Sequence, residues 1–243
     1  MCTVLFIPAN NRLYFASLRD ESPNRPLASL PEIIKGAESD WLAPLDAQAG
    51  GSWVGVNTIG NVLILLNGGF ENHQRALKYR KSRGLIIREL LQSAALLPDW
   101  EYMLLDNIEP FTIVSWTENA LFQLVWDGFQ KHCIQLNTAN PFILSSSTLY
   151  TPEAKKIRQH KFEDWLKGQP SISQSAVFDF LNSYTDLHNG FIMNRNNKIR
   201  TLSYSFIELV KQHKAEMYYQ ELPDGRKAVN SIEFISNKIS CNV

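Results

Sequence analysis

The chain has 243 residues, with 24 lysines and arginines against 24 aspartates and glutamates, and 44% of it is hydrophobic. Balanced charge excludes a global field favouring nucleic acid or an anionic membrane, and no apolar run reaches the roughly 18 residues that would cross a bilayer. Three distant cysteines, Cys2, Cys133 and Cys241, form neither a disulfide framework nor a zinc pattern, so the expectation is a soluble, cytoplasmic chain forming one domain over residues 1–243, without a metal.

In chain order, Thr3 to Ile7 reads as a buried strand, Pro8-Ala9-Asn10-Asn11 as a turn, and Arg12 to Leu18 as the second arm of a hairpin. Residues 22–50 carry Pro23, Pro26, Pro31 and Pro44 without periodicity and read as a long irregular excursion. A second hairpin follows, with arms 50–57 and 62–67 around Gly60-Asn61. Its second arm is continuously apolar, as in a strand covered on both faces. Asn67 closes that arm ahead of Gly68-Gly69, which permit close backbone approach to a ligand. Trp53, Gly55 and Asn57 alternate onto one face, a pattern of core rather than of a ligand platform.

Residues 71–83 are basic, with Arg75, Lys78, Arg80, Lys81 and Arg83. They read either as a solvated loop or as a clamp for an anionic group. Ser82 caps a helix through Leu91. Strands at 111–116, 121–126, 132–136 and 141–146 read as an antiparallel meander. Thr151-Pro152-Glu153 starts a helix to about Lys167 that buries Phe162, Trp165 and Leu166, and a further helix spans about 173–184. Strands at 190–193, 199–209, 215–222 and 227–235 complete the chain. The order predicts an α+β, four-layer αββα sandwich of two antiparallel sheets flanked by helices.

Chemistry concentrates at the amino terminus. A cysteine after the initiator methionine, once that methionine is removed, carries a thiol of pKa about 8.5 and an α-amine of about 7.7–8.0. The amine can then act as base for its own nucleophile. Arg19 near the thiol would favour the thiolate, and Asp20 could hold or orient the amine. A small, half-buried residue opening a strand is the alternative reading of Cys2.

Several stretches together resemble the Asn-Arg-Asp-Glu family, also called the transport and Golgi organization protein 2 family. They are Met1-Cys2, Leu18-Arg19-Asp20-Glu21, Arg25-Pro26, the block Gly50-Gly51-Ser52-Trp53-Val54-Gly55-Val56-Asn57, Asn67, Ser82-Arg83-Gly84, and Leu144-Ser145-Ser146 leading to Thr151-Pro152. The resemblance implies an N-terminal-nucleophile (Ntn) hydrolase-like fold, akin to bile-salt hydrolases and penicillin V acylases. It implies Cys2 as nucleophile, Arg19 and Asp20 as its partners, and Asn67 beside the oxyanion. The implied reaction is hydrolysis of a non-peptide amide through a thioester, with no cofactor required.

The sequence departs from the family pattern at three places. Leu18 stands where the family has its first asparagine, and Ser146 where it has a second oxyanion-type asparagine. In Arg200-Thr201-Leu202-Ser203, leucine takes the arginine position. Arg200, two residues earlier, shares that face by strand alternation and is a candidate ligand-binding cation, as is Arg83. The alternative function on the same fold is non-catalytic binding of haem or of a lipid or acyl ligand. In it His73 would supply an axial ligand and the 75–83 cations would meet propionates.

Overall fold

The computed structural model describes residues 3–9, 11–184 and 186–235. Apolar alternation builds it from the first hairpin outward. In β1 (Thr3–Ala9), Val4 and Phe6 enter one core while Leu5 and Ile7 enter a second. In β2 (Arg12–Glu21), Leu13 and Phe15 join the first, and Tyr14, Ala16 and Leu18 join the second. Buried residues on both faces make this an inner sheet, with one face against another sheet and the other against helices.

The remaining elements follow in chain order. They are β3 (Glu32–Ile34), β4 (Trp41–Ala43), β5 (Val54–Asn57), β6 (Val62–Asn67), α1 (Arg83–Leu91), α2 (Leu96–Tyr102), β7 (Phe111–Thr117), β8 (Ala120–Trp126), β9 (Lys131–Leu136) and β10 (Phe142–Ser145). Then come α3 (Pro152–Lys167), α4 (Gln174–Ser183), β11 (Asn194–Arg195), β12 (Ile199–Val210), β13 (Lys214–Glu221) and β14 (Lys227–Glu233). One sheet runs β10-β1-β2-β12-β13-β14 with β11 on β12; the other runs β3-β4-β5-β6-β7-β8-β9. Every pairing within them is antiparallel. The apolar residues of α1 and α2 cover the second sheet, and α3 and α4 cover the first through Phe162, Val177, Phe180 and Leu181. The layers are α, β, β, α, as expected. No helix among the described residues is long and apolar enough to cross a membrane.

The helix starts follow their caps. Ser82 accepts from the Gly84 amide, Thr151 from Ala154 and Ser173 from Ala176, each satisfying a donor that the helix leaves open.

Other elements differ from the sequence expectation. The stretch 22–50 is not wholly irregular, since β3 and β4 add an edge to the second sheet. Three-residue strands among prolines show no periodicity to read. Helix α2 was not anticipated; Pro98 stands at its third position, where a missing amide costs little. The four-strand meander holds for three strands only. β10 leaves it and pairs with β1, because Phe142 and Leu144 pack on the inter-sheet core while Ile143 enters the helix-side core. Within α3, Phe162 is buried but Trp165 and Leu166 are only partly so; Arg158 is buried instead. Residues 190–193 form a bend, with the strand displaced to β11.

Candidate active site

Strand register brings the sequence motifs to one end of the strands. Thr3 lies between Leu18 and Ser145, Thr201 opposite Asp20, and Ser203 between Arg19 and Glu221. Asn67 closes β6 in the facing sheet. Cys2 lies outside the described residues, as does Cys241.

Arg19 and Asp20 are successive residues of β2 and so point to opposite faces. Arg19, 2% exposed, enters the inter-sheet space. There it forms an ion pair with Asp46, and its guanidinium lies 4.2 Å from the centre of the Trp53 ring. Burial pulls the Arg19 pKa down from its ordinary value, against the raising effect of Asp46. Its Nη1 is buried without a hydrogen-bond partner among the described residues. Asp46, 7% exposed, also accepts from Arg25 Nε at 2.7 Å and Nη2 at 2.9 Å, and from the Ala49 amide at 2.7 Å. Burial favours its neutral form, but the bonds from Arg25 and Ala49 and the Arg19 charge outweigh this and hold it below the usual carboxylate range.

On the opposite face, Asp20 accepts from Thr201 Oγ1 at 2.6 Å and from the Tyr150 hydroxyl at 3.0 Å. Beneath Arg19, Tyr219 donates to Glu221, which is 0% exposed. Burial raises the Glu221 carboxyl above its ordinary range, and burial together with that hydrogen bond raises the Tyr219 phenol.

Asn67 lines three neighbouring hollows. One of about 90 Å³ contains Arg19, Asp46 and Trp53. An outer one of about 500 Å³ lies under residues 75–83, and a third of about 240 Å³ contains Ser146 and Lys155. Ser146 is buried, and its Oγ has no hydrogen-bond partner among the described residues. The Gly-Gly loop before Trp53 can lie against α1 only because both touching residues are small. A Cβ on Gly51 would stand 2.3 Å from the Gly84 carbonyl carbon.

The basic segment folds onto the 104–110 turn and spends most of its charge there. The Arg80 guanidinium donates to the Leu104 and Asp106 carbonyls, and Lys81 pairs with Glu89. Arg75, Arg83 and His73 all face Glu109, at 3.7, 3.3 and 3.5 Å. His73 is thus half-buried rather than a free loop residue. Arg200 does not follow simple alternation to Leu202, because a β-bulge separates Thr201 from Ser203. It sits opposite Glu21 and makes no ion pair among the described residues. Trp53 precedes β5 and departs from the face of Gly55 and Asn57. The latter two turn to α1, whereas Trp53 turns to Tyr219 of the other sheet.

Sequence reasoning missed Asp46, Tyr150, Thr201 and Glu221, each a single polar residue that only the fold brings near β2. It also missed Arg158. From α3 this fully buried guanidinium donates to Thr3 and Ser145 Oγ and to the Asn189 and Gly190 carbonyls, tying the ends of β1 and β10 together. Among the described residues, no cluster of three His, Cys, Asp or Glu side chains could hold a metal ion.

Four layers, with two antiparallel sheets between helices, make an Ntn-hydrolase-like fold. Solved structures of that class align with it. A variant of conjugated bile acid hydrolase from Clostridium perfringens superposes with a TM-score of 0.57 at 12% identity, over 96% of this chain and 92% of that one. A Caenorhabditis elegans N-acylethanolamine-hydrolyzing acid amidase ortholog gives 0.59 at 13% identity, over 85% and 92%. The chain belongs to the Transport and Golgi organisation 2 family, whose model matches residues 1–233. No curated protein matches it in sequence.

Proposed function

We propose that this protein is an N-terminal cysteine hydrolase acting on a non-peptide amide. One observation carries the reading. The residue that follows Cys2 in sequence, Thr3, is held between Leu18 and Ser145, the immediate neighbours of Arg19 and Ser146. With the α-amine as base, the Cys2 thiol loses its proton and the sulfur attacks the amide carbonyl carbon. Arg19 Nη1 is a charged donor left over after Asp46 is satisfied, suited to an anion such as a thiolate. The Asn67 amide and the Ser146 hydroxyl donate to the oxyanion. The C–N bond then breaks, the amine leaves with the proton, and a thioester remains. Water adds to that carbonyl, releasing the acid and restoring the thiol. Asp20 is fixed by Thr201 and Tyr150 and orients the amine. Arg83, held by Glu109, shapes the outer hollow.

The haem alternative fits the residues poorly. A porphyrin needs an apolar slot, whereas the outer hollow is lined by Glu21, Glu109 and several cations, and His73 does not line it. Most of the cations meant for propionates already face Glu109, Glu89 or backbone carbonyls.

The test combines intact mass with turnover. Protein expressed without an amino-terminal tag should weigh one methionine less than its translated sequence and should release acid from a panel of N-acyl amides. It should also accumulate an acyl-enzyme that hydroxylamine cleaves. Cys2→Ser and Asp20→Asn should lose this activity. Wild type and Cys2→Ser hydrolysing the panel equally slowly would refute the reading.

A further inference from the structure

The hollow on the α3 side of Asn67 holds two polar side chains, Lys155 and Ser147, that the hydrolysis scheme does not use. Among the described residues its polar walls are hydroxyls and amides, no carboxylate lines it, and its cation is Lys155. Lys155 makes no ion pair or side-chain hydrogen bond among the described residues. As the fourth residue of α3, it also lies near the positive end of the helix macrodipole, which disfavours a cation. Burial lowers its pKa from the ordinary lysine value. Ser147 lines the same hollow, and its hydroxyl oxygen is buried without a hydrogen-bond partner among the described residues. A buried hydroxyl without a partner costs free energy, and so does a partly desolvated ammonium without a counter-charge. One occupant relieves both, namely an anion whose oxygens accept from the Ser147 hydroxyl and from the ammonium.

We infer that Lys155, with Ser147, forms a subsite for a carboxylate carried by the substrate amide. The inference rests on the amidase reading for its location beside Asn67, which lines the same hollow. At about 240 Å³, the hollow has room for a carboxylate on a short linker. The carboxylate can belong to the amine half, as in an N-acyl amino acid, or to the acyl half, as in a monoamide of a dicarboxylic acid.

Four probes separate these sources: N-octanoylglycine, its neutral counterpart N-octanoylethanolamine, N-octylsuccinamic acid, and the neutral N-octylsuccinamide. Affinity is measured by calorimetry on the full-length Cys2→Ser protein, so binding is read without turnover. At least one acid should bind about tenfold or more tightly than its neutral counterpart. That ratio should fall below about threefold in Lys155→Gln and return in Lys155→Arg, and the better acid identifies the half that carries the charge. Equal affinities within both pairs, a ratio unchanged by Lys155→Gln, or no binding of any probe would each overturn the inference. A Lys155-dependent preference in a wild-type protein that hydrolyses nothing would overturn the amidase reading while leaving the anion subsite standing.

Discussion

Replacing Asp46 by asparagine keeps the side-chain shape and removes the charge on which two arginines converge. Arg25 is partly solvated and can turn outward. Arg19, at 2% exposure beneath Trp53, has no such exit, so its guanidinium stays buried without its ion-pair partner. Removing one partner of a buried pair costs about 3–5 kcal/mol. For a chain of this length each kcal/mol lowers the melting point by about 2–4 °C, so Asp46→Asn should melt about 6–20 °C below wild type. Urea unfolding followed by tryptophan fluorescence should show the same loss, with Trp53 reporting locally. The pH dependence has a fixed sign. The Asp46 pKa is depressed in the folded state, so its contribution is complete above the unfolded carboxylate value of about 3.9 and fades as pH falls through the folded value. The gap between wild type and variant should be constant from neutral pH to about pH 5 and narrow below about pH 4. The double variant Arg19→Met with Asp46→Leu should be more stable than Asp46→Asn, since it buries no lone charge. A loss of less than about 0.5 kcal/mol, the usual range for surface changes, or a gap that widens in acid, would refute this account of the pair.

Four further outcomes follow from geometry. Arg158→Met leaves the Asn189 and Gly190 carbonyls and the Thr3 and Ser145 hydroxyls short of a donor; denaturant melts should show a loss of about 3 kcal/mol or more. Asp20→Asn should cost about 1.5–3 kcal/mol, the worth of hydrogen bonds to a charged group, measured in the same way. Gly55→Ala would set a Cβ 2.4 Å from Leu91 Cδ1, and overpacking by α1 should lower stability by about 1–3 kcal/mol. In a protein shown to hydrolyse amides, Asn67→Ala should lower kcat about 10²–10³-fold while the melting curve stays in place.

The layer order was legible because strand and helix periodicities alternate clearly along the chain. Both faces of β1 and β2 are apolar, which calls for covers on both sides. The path of β10 was not legible: a four-residue apolar strand after two good hairpins looks like the next rung of a meander, and only the need of β1 for a second partner says otherwise. The same limit applied to the site. Arg19, Asp20, Asn67 and Ser146 stood out because they fall in contiguous motifs. The contacts of Asp46, Thr201 and Tyr150 became visible only in the fold, since they lie 27, 181 and 130 positions from the β2 residues they bind. A bulge at Leu202 likewise leaves no mark in hydropathy, yet it decides where Arg200 stands.

The crossing of β10 to the first sheet sets a clock on assembly. The β1–β2 hairpin can close once about twenty residues have emerged, but the other flank of β1 stays bare until residues 142–145 are made. At about 5–20 residues per second, synthesis from the end of β2 to the end of β10 takes about 6–25 s. Asp20 acquires its Thr201 hydrogen bond later still. During that interval the first strand is a half-paired ribbon. A strand with one flank unpaired presents a row of open backbone donors and acceptors to any other strand edge that reaches it.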